Sequence, residues 1–559
     1  MKKRIPLIAA PLILIIIAGA FVPCLKNGFT NWDDDKYVTE NRVVQNLSFA
    51  SVKETFSSFI FANYHPFTIM SLALEYRFFK RDPFFYHLTN LILHLCNSLL
   101  VLWFFCLLTP RIGVALLAAL LFGIHPLHVE AVAWISGRKE LLYAFFYLAS
   151  LICYCYYARR RRAASYYLCL SFFLLALLSK AMAVTLPLVL LLIDYVFERQ
   201  DKRRAFIEKI PFIVLSLVCG VIAFIGQYSF GAVREERTLV LIHKFLLASY
   251  ALMFYVYKTF IPLRLSCFYP YYGIAHDPLF FFSLISFCAA LVLSALVIIS
   301  GRYTKKIIFG ALFFLVTLLP ALQFVRVSGA IVADRYAYMP TIGLYYIIGV
   351  FVFWVHGTNR VTRVAKGIFS ACVITALLGL CFLTWQKCGI WKDSVTLWSD
   401  ALKNTSSNAK AYNNLCQAYI AAGRSKDALP LCRQAMRIDP ADAFPCFNLG
   451  WAYETMGRPQ KALALYRRAL ALDPEFLMAA NNLASLYAES GHSDEAIALW
   501  TRALEISPQF AVAHYNLAKC YFENKHYEAA IEHCDKAVAL GVRVSAEFLA
   551  RLEPYRKRK

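Results

Sequence analysis

Long apolar stretches alternate with short polar ones over the first 388 residues, and a regular amphipathic pattern follows. A helix that spans a bilayer needs about 20 mostly apolar residues. The stretches that approach this length, some only with flanking residues, are 5–22, 88–108, 112–124, 141–157, 166–178, 182–196, 210–225, 246–260, 279–299, 307–324, 342–355 and 368–383. The pattern predicts a polytopic, all-α membrane domain over residues 1–388.

Clusters of Lys and Arg predict which loops face the cytoplasm. These clusters are residues 2–4, 159–162, 199–204, 302–306 and 360–366. We count membrane spans from each end of this domain so that every basic cluster faces the cytoplasm. The two counts agree only if one of the apolar runs between residues 205 and 300 does not cross the membrane fully. We assign this to 246–260, which His243, Lys244 and Lys258 bracket. The prediction is about 11 spans, with the N-terminus inside, the C-terminus outside and residues 23–87 as the first extracytoplasmic loop. Residues 5–22 resemble a signal peptide, and we interpret them as an uncleaved anchor.

A 34-residue period governs the remaining chain, 389–559. Pro440, Pro474 and Pro508 recur at this spacing, as do Gly423, Gly457 and Gly491. A helix–turn–helix unit of this length is the tetratricopeptide pattern, which stacks into an α-solenoid with a concave groove. We predict a half repeat from Gly389 and four repeats at 408–440, 441–474, 475–508 and 509–541, the last with Lys525 at the Gly position.

One asparagine recurs at the same helical position of each repeat. It could hydrogen-bond the backbone of an acceptor polypeptide, or it could serve helix packing. These residues are Asn414, Asn448, Asn482 and Asn516.

Composition supports a membrane protein. Hydrophobic residues make up 60% and charged residues 17% of the chain, and the mean hydropathy is +0.53. These values exclude a wholly soluble or disordered chain. Nearly all of the net charge of +23 lies before residue 389, so the anionic partner indicated is a membrane surface and not nucleic acid.

Three adjacent acids, Asp33, Asp34 and Asp35, lie in the first outer loop beside an apolar span. Such groups are costly there unless they are solvated or used. Crowding of like charges raises the pKa of at least one of them, which suits a general base or a metal site. Asp33 and Asp34 could bind a divalent cation, Mg²⁺ or Mn²⁺, and the alternative is a solvated turn. No other cofactor is indicated.

Further ionisable residues lie where apolar runs meet the outer side. His125, His128 and Glu130 follow one run, with Pro126 breaking the helix. Arg138 and Lys139 offer positive charge for a lipid phosphate, Lys180 separates two apolar runs, and Arg335 could clamp a phosphate with two hydrogen bonds. Interfacial snorkelling and a local Asp334–Arg335 pair are the alternatives.

Several of these motifs resemble one enzyme family. The matching segments are Trp32-Asp33-Asp34-Asp35, residues 64–68, residues 86–90 with His94, residues 122–133, Gly137-Arg138, Ser179-Lys180 and Asp334-Arg335-Tyr336. In these segments and in domain order the chain is similar to the transmembrane and tetratricopeptide-repeat O-mannosyltransferases, within the polytopic GT-C glycosyltransferases. His65, where the family often has Arg, and Ala181, where it often has an acid, depart from the pattern.

The resemblance implies a GT-C-like fold and transfer of a sugar from a polyprenyl-phosphate donor to an extracytoplasmic hydroxyl, on protein Ser or Thr. Asp33 or Asp34 would be the catalytic acid/base. Arg138, Lys180 and Arg335 would bind the donor phosphate, and the repeats would hold the polypeptide acceptor. Further residues expected in the cavity are His65, His125, His128, Glu130 and Asp35.

Two other functions fit the pattern less well. A membrane-anchored repeat scaffold would dock partners without catalysis, and a transporter should show inverted internal repeats, which the hydropathy lacks. The expected location is a bacterial inner membrane with the repeats in the periplasm, and the alternative is the endoplasmic reticulum membrane.

Overall fold

The computed structural model describes residues 5–230, 241–271, 277–322, 324, 329–405 and 408–556. The basic residues 2–4 and Arg326 lie outside them. The described chain is almost entirely helical, as predicted, and forms two compact units, Met1–Asn404 and Thr405–Lys559.

Unit 1 contains eighteen of the described helices. They are α1 (Ile5–Phe21), α2 (Arg42–Gln45), α3 (Phe49–Ser57), α4 (Pro66–Phe79), α5 (Pro83–Leu108), α6 (Ile112–Ile124), α7 (Val129–Ala133), α8 (Arg138–Arg160), α9 (Ala163–Ser179), α10 (Leu186–Val196), α11 (Lys202–Ile207), α12 (Ile210–Ser229), α13 (Leu241–Phe260), α14 (Asp277–Ser300), α15 (Lys305–Leu318), α16 (Thr341–Gly357), α17 (Arg363–Cys388) and α18 (Ser394–Asn404). Two short strands, β1 (Tyr269–Pro270) and β2 (Ala330–Val332), pair antiparallel.

Local sequence explains several helix boundaries. Asn41, Ser48 and Asp82 accept hydrogen bonds from the first backbone N–H groups of α2, α3 and α5. Proline begins α4 and α5, where its missing N–H costs nothing. These caps separate the outer loop into short helices between the long apolar ones.

Several helices meet the requirements of a membrane span. Among the described residues, six are long and apolar enough, and the bent pair Ile112–Ile124 with Pro126–Ala133 would make seven. The six are Ala9–Lys26, Pro83–Leu108, Ile135–Arg160, Lys202–Ser229, Leu279–Ser300 and Arg363–Trp391. Shorter apolar helices are Ala163–Ser179, Ala181–Val196 and Thr341–Gly357. The count of about 11 spans stays a prediction, as does the assignment of 246–260, which lies within α13.

The kink after α6 occurs at the predicted proline. Pro126 follows Ile124 by two residues, and the two helical pieces meet at 53°. The chain then turns again at Gly137, where a Cβ atom would lie 2.5 Å from the carbonyl oxygen of Ala131. Only glycine allows this close approach, which sets the direction in which α8 begins.

Unit 2 is built from paired helices: α19 (Ala409–Ala421), α20 (Ser425–Ile438), α21 (Ala443–Thr455), α22 (Pro459–Leu472), α23 (Leu477–Glu489), α24 (Ser493–Ile506), α25 (Ala511–Glu523), α26 (Tyr527–Ala539) and α27 (Ala546–Arg556). Gly423, Gly457 and Gly491 turn each pair with φ between 68° and 82°, and Lys525 adopts 65° at the fourth turn. The helix pairs confirm the predicted solenoid, and Lys525 keeps the left-handed turn without a glycine.

The boundary between the two compact units lies after the predicted half repeat and not before it. The half repeat, predicted to open the second domain at 389, contributes α18 to unit 1, because Trp391 and Trp398 are buried there. In unit 2 the structure joins Cys416 to Cys432 in a disulfide, with a Cα–Cα distance of 5.5 Å. The spacing of the cysteines along the chain gave no indication of this bond.

Candidate functional site

A cavity of about 540 Å³ within unit 1 collects ionisable side chains from distant segments. The charged and imidazole groups that line it are Asp33, His65, Lys139, Glu140, Lys180 and Arg335. One wall is apolar and includes Met182, Val184, Ala223, Phe224, Pro320 and Ala321. The cavity therefore joins charged groups to a surface on which a lipid chain could lie.

The loop backbone turns Asp33 into this cavity. Asp33 has a φ of 68°, in the left-handed region that a non-glycine residue adopts at some cost, although Asp tolerates it better than most. Its carbonyl oxygen accepts a hydrogen bond of 3.0 Å from the backbone N–H of Tyr37. The carboxylate of Asp33 is half-buried and lines the cavity.

Asp34 instead turns into the protein. Its Oδ2 accepts from the N–H and the hydroxyl of Thr30 at 3.0 and 2.9 Å, and its Oδ1 accepts from those of Ser136 at 3.0 and 2.6 Å. Asp34 is buried and is not among the residues lining the cavity. The side chain ties the loop that carries Asp33 to the turn before α8.

Protonation of Asp34 should make stability depend on pH. Burial raises the pKa of Asp34 from 3.8 to about 6, against the hydrogen bonds from Ser136 and Thr30. The folded chain thus binds this proton more tightly than the unfolded chain, and the resulting stability is lost as pH rises from about 4 to 6. We expect the melting temperature of the wild type to rise relative to Asp34→Asn as pH is lowered from 7 to 5. A difference that is the same at every pH would contradict this.

Two of the predicted phosphate ligands line the cavity, and each pairs with a buried acid. Lys180 bonds Glu140, and Arg335 Nη1 lies 2.5 Å from Glu130 Oε1. The backbone N–H of Arg335 also donates to Glu130 Oε2 at 2.9 Å. Glu130, predicted as a cavity residue, therefore holds Arg335 in place from behind.

Lys139 is a cavity cation that the sequence-based assignment of ligands omitted. Its ammonium lies 4.7 Å from the ring centre of Tyr37 and 4.9 Å from that of Trp134. No described carboxylate lies within salt-bridge distance of it. The sequence indicated both Arg138 and Lys139 as positive charge for a lipid phosphate, but the start of α8 determines which of the two faces the cavity.

Arg138 lies away from the cavity. It is buried and donates to Glu75 Oε2 at 2.8 Å, to Asn90 Oδ1 at 2.5 Å, to Ser71 Oγ at 3.0 Å and to the carbonyl of Tyr86 at 3.0 Å. These bonds join α4, α5 and α8. The predicted phosphate role of Arg138 is replaced by an internal one, because its guanidinium already satisfies partners inside the protein.

Of the predicted histidines, one lines the cavity and two lie away from it. His65 lines the cavity at the start of α4, and within the described chain its buried Nε2 has no hydrogen-bond partner. Burial lowers the pKa of His65 to about 3, and Lys139 and Lys180 add to this effect, so its imidazole is neutral.

His125 and His128 lie inside the bent helix pair instead. His125 Nε2 bonds the carbonyl of Thr259 at 3.0 Å, and His128 bonds the carbonyl of Phe122 and the hydroxyl of Thr341. Asp35 begins a separate helical turn and does not line the cavity, and burial raises its pKa. None of these three residues lines the cavity.

The donor set does not fit a divalent cation. Mg²⁺ and Mn²⁺ need several oxygen ligands, whereas Asp34 turns away from Asp33 and the cavity also holds the charges of Lys139, Lys180 and Arg335. Over the ranges that the structure describes, no group of three or more His, Cys, Asp or Glu is placed to hold a metal. The arrangement suits an anion beside the carboxylate of Asp33, because Glu140 is paired with Lys180.

The recurring asparagines of unit 2 bond within the array. Asn448 donates to Asn413 at 2.9 Å, Asn516 donates to Asn481 at 2.8 Å, and Asn482 donates to the hydroxyl of Tyr466 at 3.3 Å. Asn414 is half-buried in α19. The first two bonds link successive repeats, which favours helix packing over binding of an acceptor.

Comparisons with known proteins agree with both parts of the chain. Models of the tetratricopeptide repeat match residues 407–475, 447–509 and 482–541. A protein O-mannosyl-transferase of Caenorhabditis elegans is 26% identical over 72% of this chain and 59% of its own length. The protein O-mannosyl-transferase TMTC3 of Mus musculus is 25% identical over 64% of this chain and 42% of its own. The resemblance predicted from the motifs is confirmed: the chain is related to protein O-mannosyl-transferases and carries tetratricopeptide repeats.

The similarity covers only part of these relatives' length, and solved structures match only part of this chain. The chain spans about half the length of the curated relatives it matches. Among solved structures, a crystal structure of MamA covers 28% of this chain and 90% of its own, at 22% identity and a TM-score of 0.25.

Proposed function

We propose that this chain is a membrane glycosyltransferase of GT-C type that moves a sugar, mannose by analogy with its relatives, from a polyprenyl phosphate to a Ser or Thr hydroxyl. One observation carries the proposal. Asp33 shares a cavity with Lys139, Lys180 and Arg335 and with an apolar wall. The other carboxylate that lines the cavity, Glu140, is paired with Lys180. A base, an anion site and a lipid surface are the three things this reaction needs.

In the proposed reaction, Asp33 accepts the proton of the acceptor hydroxyl as its oxygen bonds to the anomeric carbon of the sugar. The bond from that carbon to the phosphate oxygen breaks, and its electrons leave with the polyprenyl phosphate. The attack comes from the face opposite the phosphate, so the configuration at the anomeric carbon inverts. The neutral imidazole of His65 can accept or donate a hydrogen bond to a sugar hydroxyl.

The cations would stabilise the negative charge that grows on the departing phosphate. Glu140 and Glu130 hold Lys180 and Arg335 in place, so these cations would need little reorganisation to bind the donor phosphate. Lys139 takes the place that the sequence suggested for Arg138. The apolar side chains of Ala223 and Phe224, on α12, would contact the first isoprene units of the donor.

The repeats would hold the acceptor polypeptide, and they would lie on the same side of the membrane as the loop that carries Asp33. Packing of α18 against that loop supports this, because α18 leads directly into the repeats. The disulfide of Cys416 and Cys432 also supports an oxidising, non-cytoplasmic compartment. We propose a periplasmic location in a bacterial inner membrane, with the lumen of the endoplasmic reticulum as the alternative.

The purified full-length chain in lipid nanodiscs provides the test. Incubation with polyprenyl-phosphate-[³H]mannose and a Ser/Thr-rich peptide should release polyprenyl phosphate and label the peptide. GDP-[³H]mannose should not serve as the direct donor, since the apolar wall of the cavity suits a lipid chain and not a nucleotide. Label transfer from GDP-mannose alone, or none from the lipid donor, would refute the proposal.

Substitution of Lys139 should weaken the anion site without disturbing a buried acid. We expect Lys139→Gln to lower kcat/KM for the lipid donor by about 10- to 100-fold, the usual effect of losing a charged hydrogen bond. Initial rates at varied donor concentration measure this. Lys80→Gln, an exposed lysine that lies over Tyr76, should leave the rate unchanged. An unchanged kcat/KM in Lys139→Gln would remove this residue from the phosphate site.

A further inference from the structure

The segment that follows the last apolar helix packs directly beneath the loop that carries Asp33. The N–H of Gly28 donates to the carbonyl of Lys392 at 2.8 Å, and the amide of Asn27 donates to the carbonyl of Cys388 at 3.0 Å. All of these residues belong to unit 1. The loop is thus attached to residues 388–404 before it reaches its acids.

The closest attachment is at Asn31, two residues before Asp33. The indole N–H of Trp398 donates to Asn31 Oδ1 at 2.7 Å, and the backbone N–H of Asn31 donates to the hydroxyl of Ser394 at 2.8 Å. Both partners lie on α18, one helical turn apart. They fix the side chain and the backbone of Asn31 at once.

Aromatic packing continues this attachment to the acid itself. The ring of Trp32 lies 5.1 Å from that of Trp398, edge to face, and 5.8 Å from that of Phe268. The carbonyl of Trp32 accepts from the indole of Trp134 at 2.6 Å. Trp32 is buried by these contacts, and the next residue, Asp33, has the left-handed conformation with its carboxylate at the cavity.

The same segment supports the cationic wall. Trp391 stacks on Trp134, with their ring centres 6.0 Å apart. The ring centre of Trp134 also lies 4.9 Å from the ammonium of Lys139 and 5.3 Å from the guanidinium of Arg335. Trp134, Trp391 and Trp398 are all buried. Residues 389–404 therefore contact the supports of both the base and the cations.

We infer that Trp398, with Ser394, is a positioning residue that holds Asp33 in its reactive orientation. The half repeat thus has a role in the chemistry of the membrane unit in addition to leading into the repeats. The inference rests on the proposed function for its kinetic consequence, but its structural consequence can be measured without any activity.

Trp398→Phe is the variant of choice, because it keeps a buried aromatic ring, although a smaller one, and removes the N–H that bonds Asn31. We expect kcat for sugar transfer to fall about 5- to 10-fold, as for one lost hydrogen bond, with the KM for donor changed by less than about twofold. Trp103→Phe is the matched control. Its indole donates to the hydroxyl of Tyr156 at 3.2 Å outside the cavity, and its loss should leave kcat unchanged.

A double-mutant cycle distinguishes positioning from general destabilisation. Trp398→Phe and Asn31→Ala break the same bond, so the double variant should lose hardly more kcat than the worse of the two single variants. Independent losses that multiply, or a full wild-type kcat in Trp398→Phe, would overturn the inference.

Hydrogen exchange tests the positioning role of Trp398 independently of the proposed function. In Trp398→Phe, amides of residues 31–37 should exchange at least severalfold faster, while those of α5 and α8 keep their wild-type rates. Unchanged exchange at 31–37 would refute the positioning role. Absence of sugar transfer in the wild-type chain would refute the proposed function and leave this measurement valid.

Discussion

Asp33→Asn is expected to reduce sugar transfer by about 10²- to 10⁴-fold, the range for loss of a general base. The amide keeps the size and polarity of the carboxylate but cannot take the proton of the acceptor hydroxyl. Because Asp33 already tolerates a left-handed backbone, and Asn adopts that conformation equally well, the variant should fold normally. Asp33→Asn should therefore lose label transfer to the peptide but keep most of its binding of the lipid donor.

Glu40→Gln provides the matched control for this result. Glu40 is an exposed acid of the same loop and does not line the cavity, so its amide variant should retain the wild-type rate. Asp34→Asn should differ from both, because it weakens the four hydrogen bonds that hold the loop and so lowers stability together with rate. If Asp33→Asn kept full activity while Asp34→Asn lost it without loss of stability, the assignment of the two acids would be reversed.

The repeats and the helical character of the membrane unit were predictable because their signals are local. A period of 34 residues places every helix pair of unit 2, and even the exception at Lys525 keeps the backbone angle of the glycines it replaces. Apolar length likewise predicts the long helices, such as α5 and α8. Shorter helices are harder, since their flanks decide whether they cross a bilayer.

The sequence predicted which segments contribute to the candidate site, but not which side chains of those segments line the cavity. Sequence located the acidic loop and the start of α8, yet it could not separate Asp33 from Asp34 or Arg138 from Lys139. Adjacent residues point in different directions, and that direction depends on partners far along the chain. Asp34 meets Ser136, and Arg138 meets Glu75, 63 positions earlier.

The disulfide illustrates the same limit on a smaller scale. Cys416 and Cys432 are 16 residues apart and lie on α19 and α20, the two helices of one repeat. The helical hairpin brings them together. A scan for short cysteine spacings does not test such a pair, whereas projection of each cysteine onto the aligned repeats would have done so.

Arg138→Met should cause the largest loss of stability among these variants, about 3–5 kcal/mol. Glu75 is 6% exposed, and its other carboxylate oxygen accepts from the hydroxyl of Thr89, so removal of Arg138 leaves a buried charge without its cation. The amide of Asn90 and the carbonyl of Tyr86 lose a donor in the same step. Thermal unfolding of the chain in detergent, followed by circular dichroism, measures the effect.

Two further variants decide between this internal role and the phosphate role suggested by sequence. Adding Glu75→Gln to Arg138→Met removes the unpaired charge, so the double variant should recover a large part of the lost stability. Arg77→Met, on the exposed face of α4, should change stability by less than about 0.5 kcal/mol. If Arg138→Met instead kept its melting temperature and raised only the KM for the lipid donor, Arg138 would bind the donor phosphate. The contacts with Glu75, Asn90 and Tyr86 would then have to be exchanged for contacts with the donor during each reaction cycle.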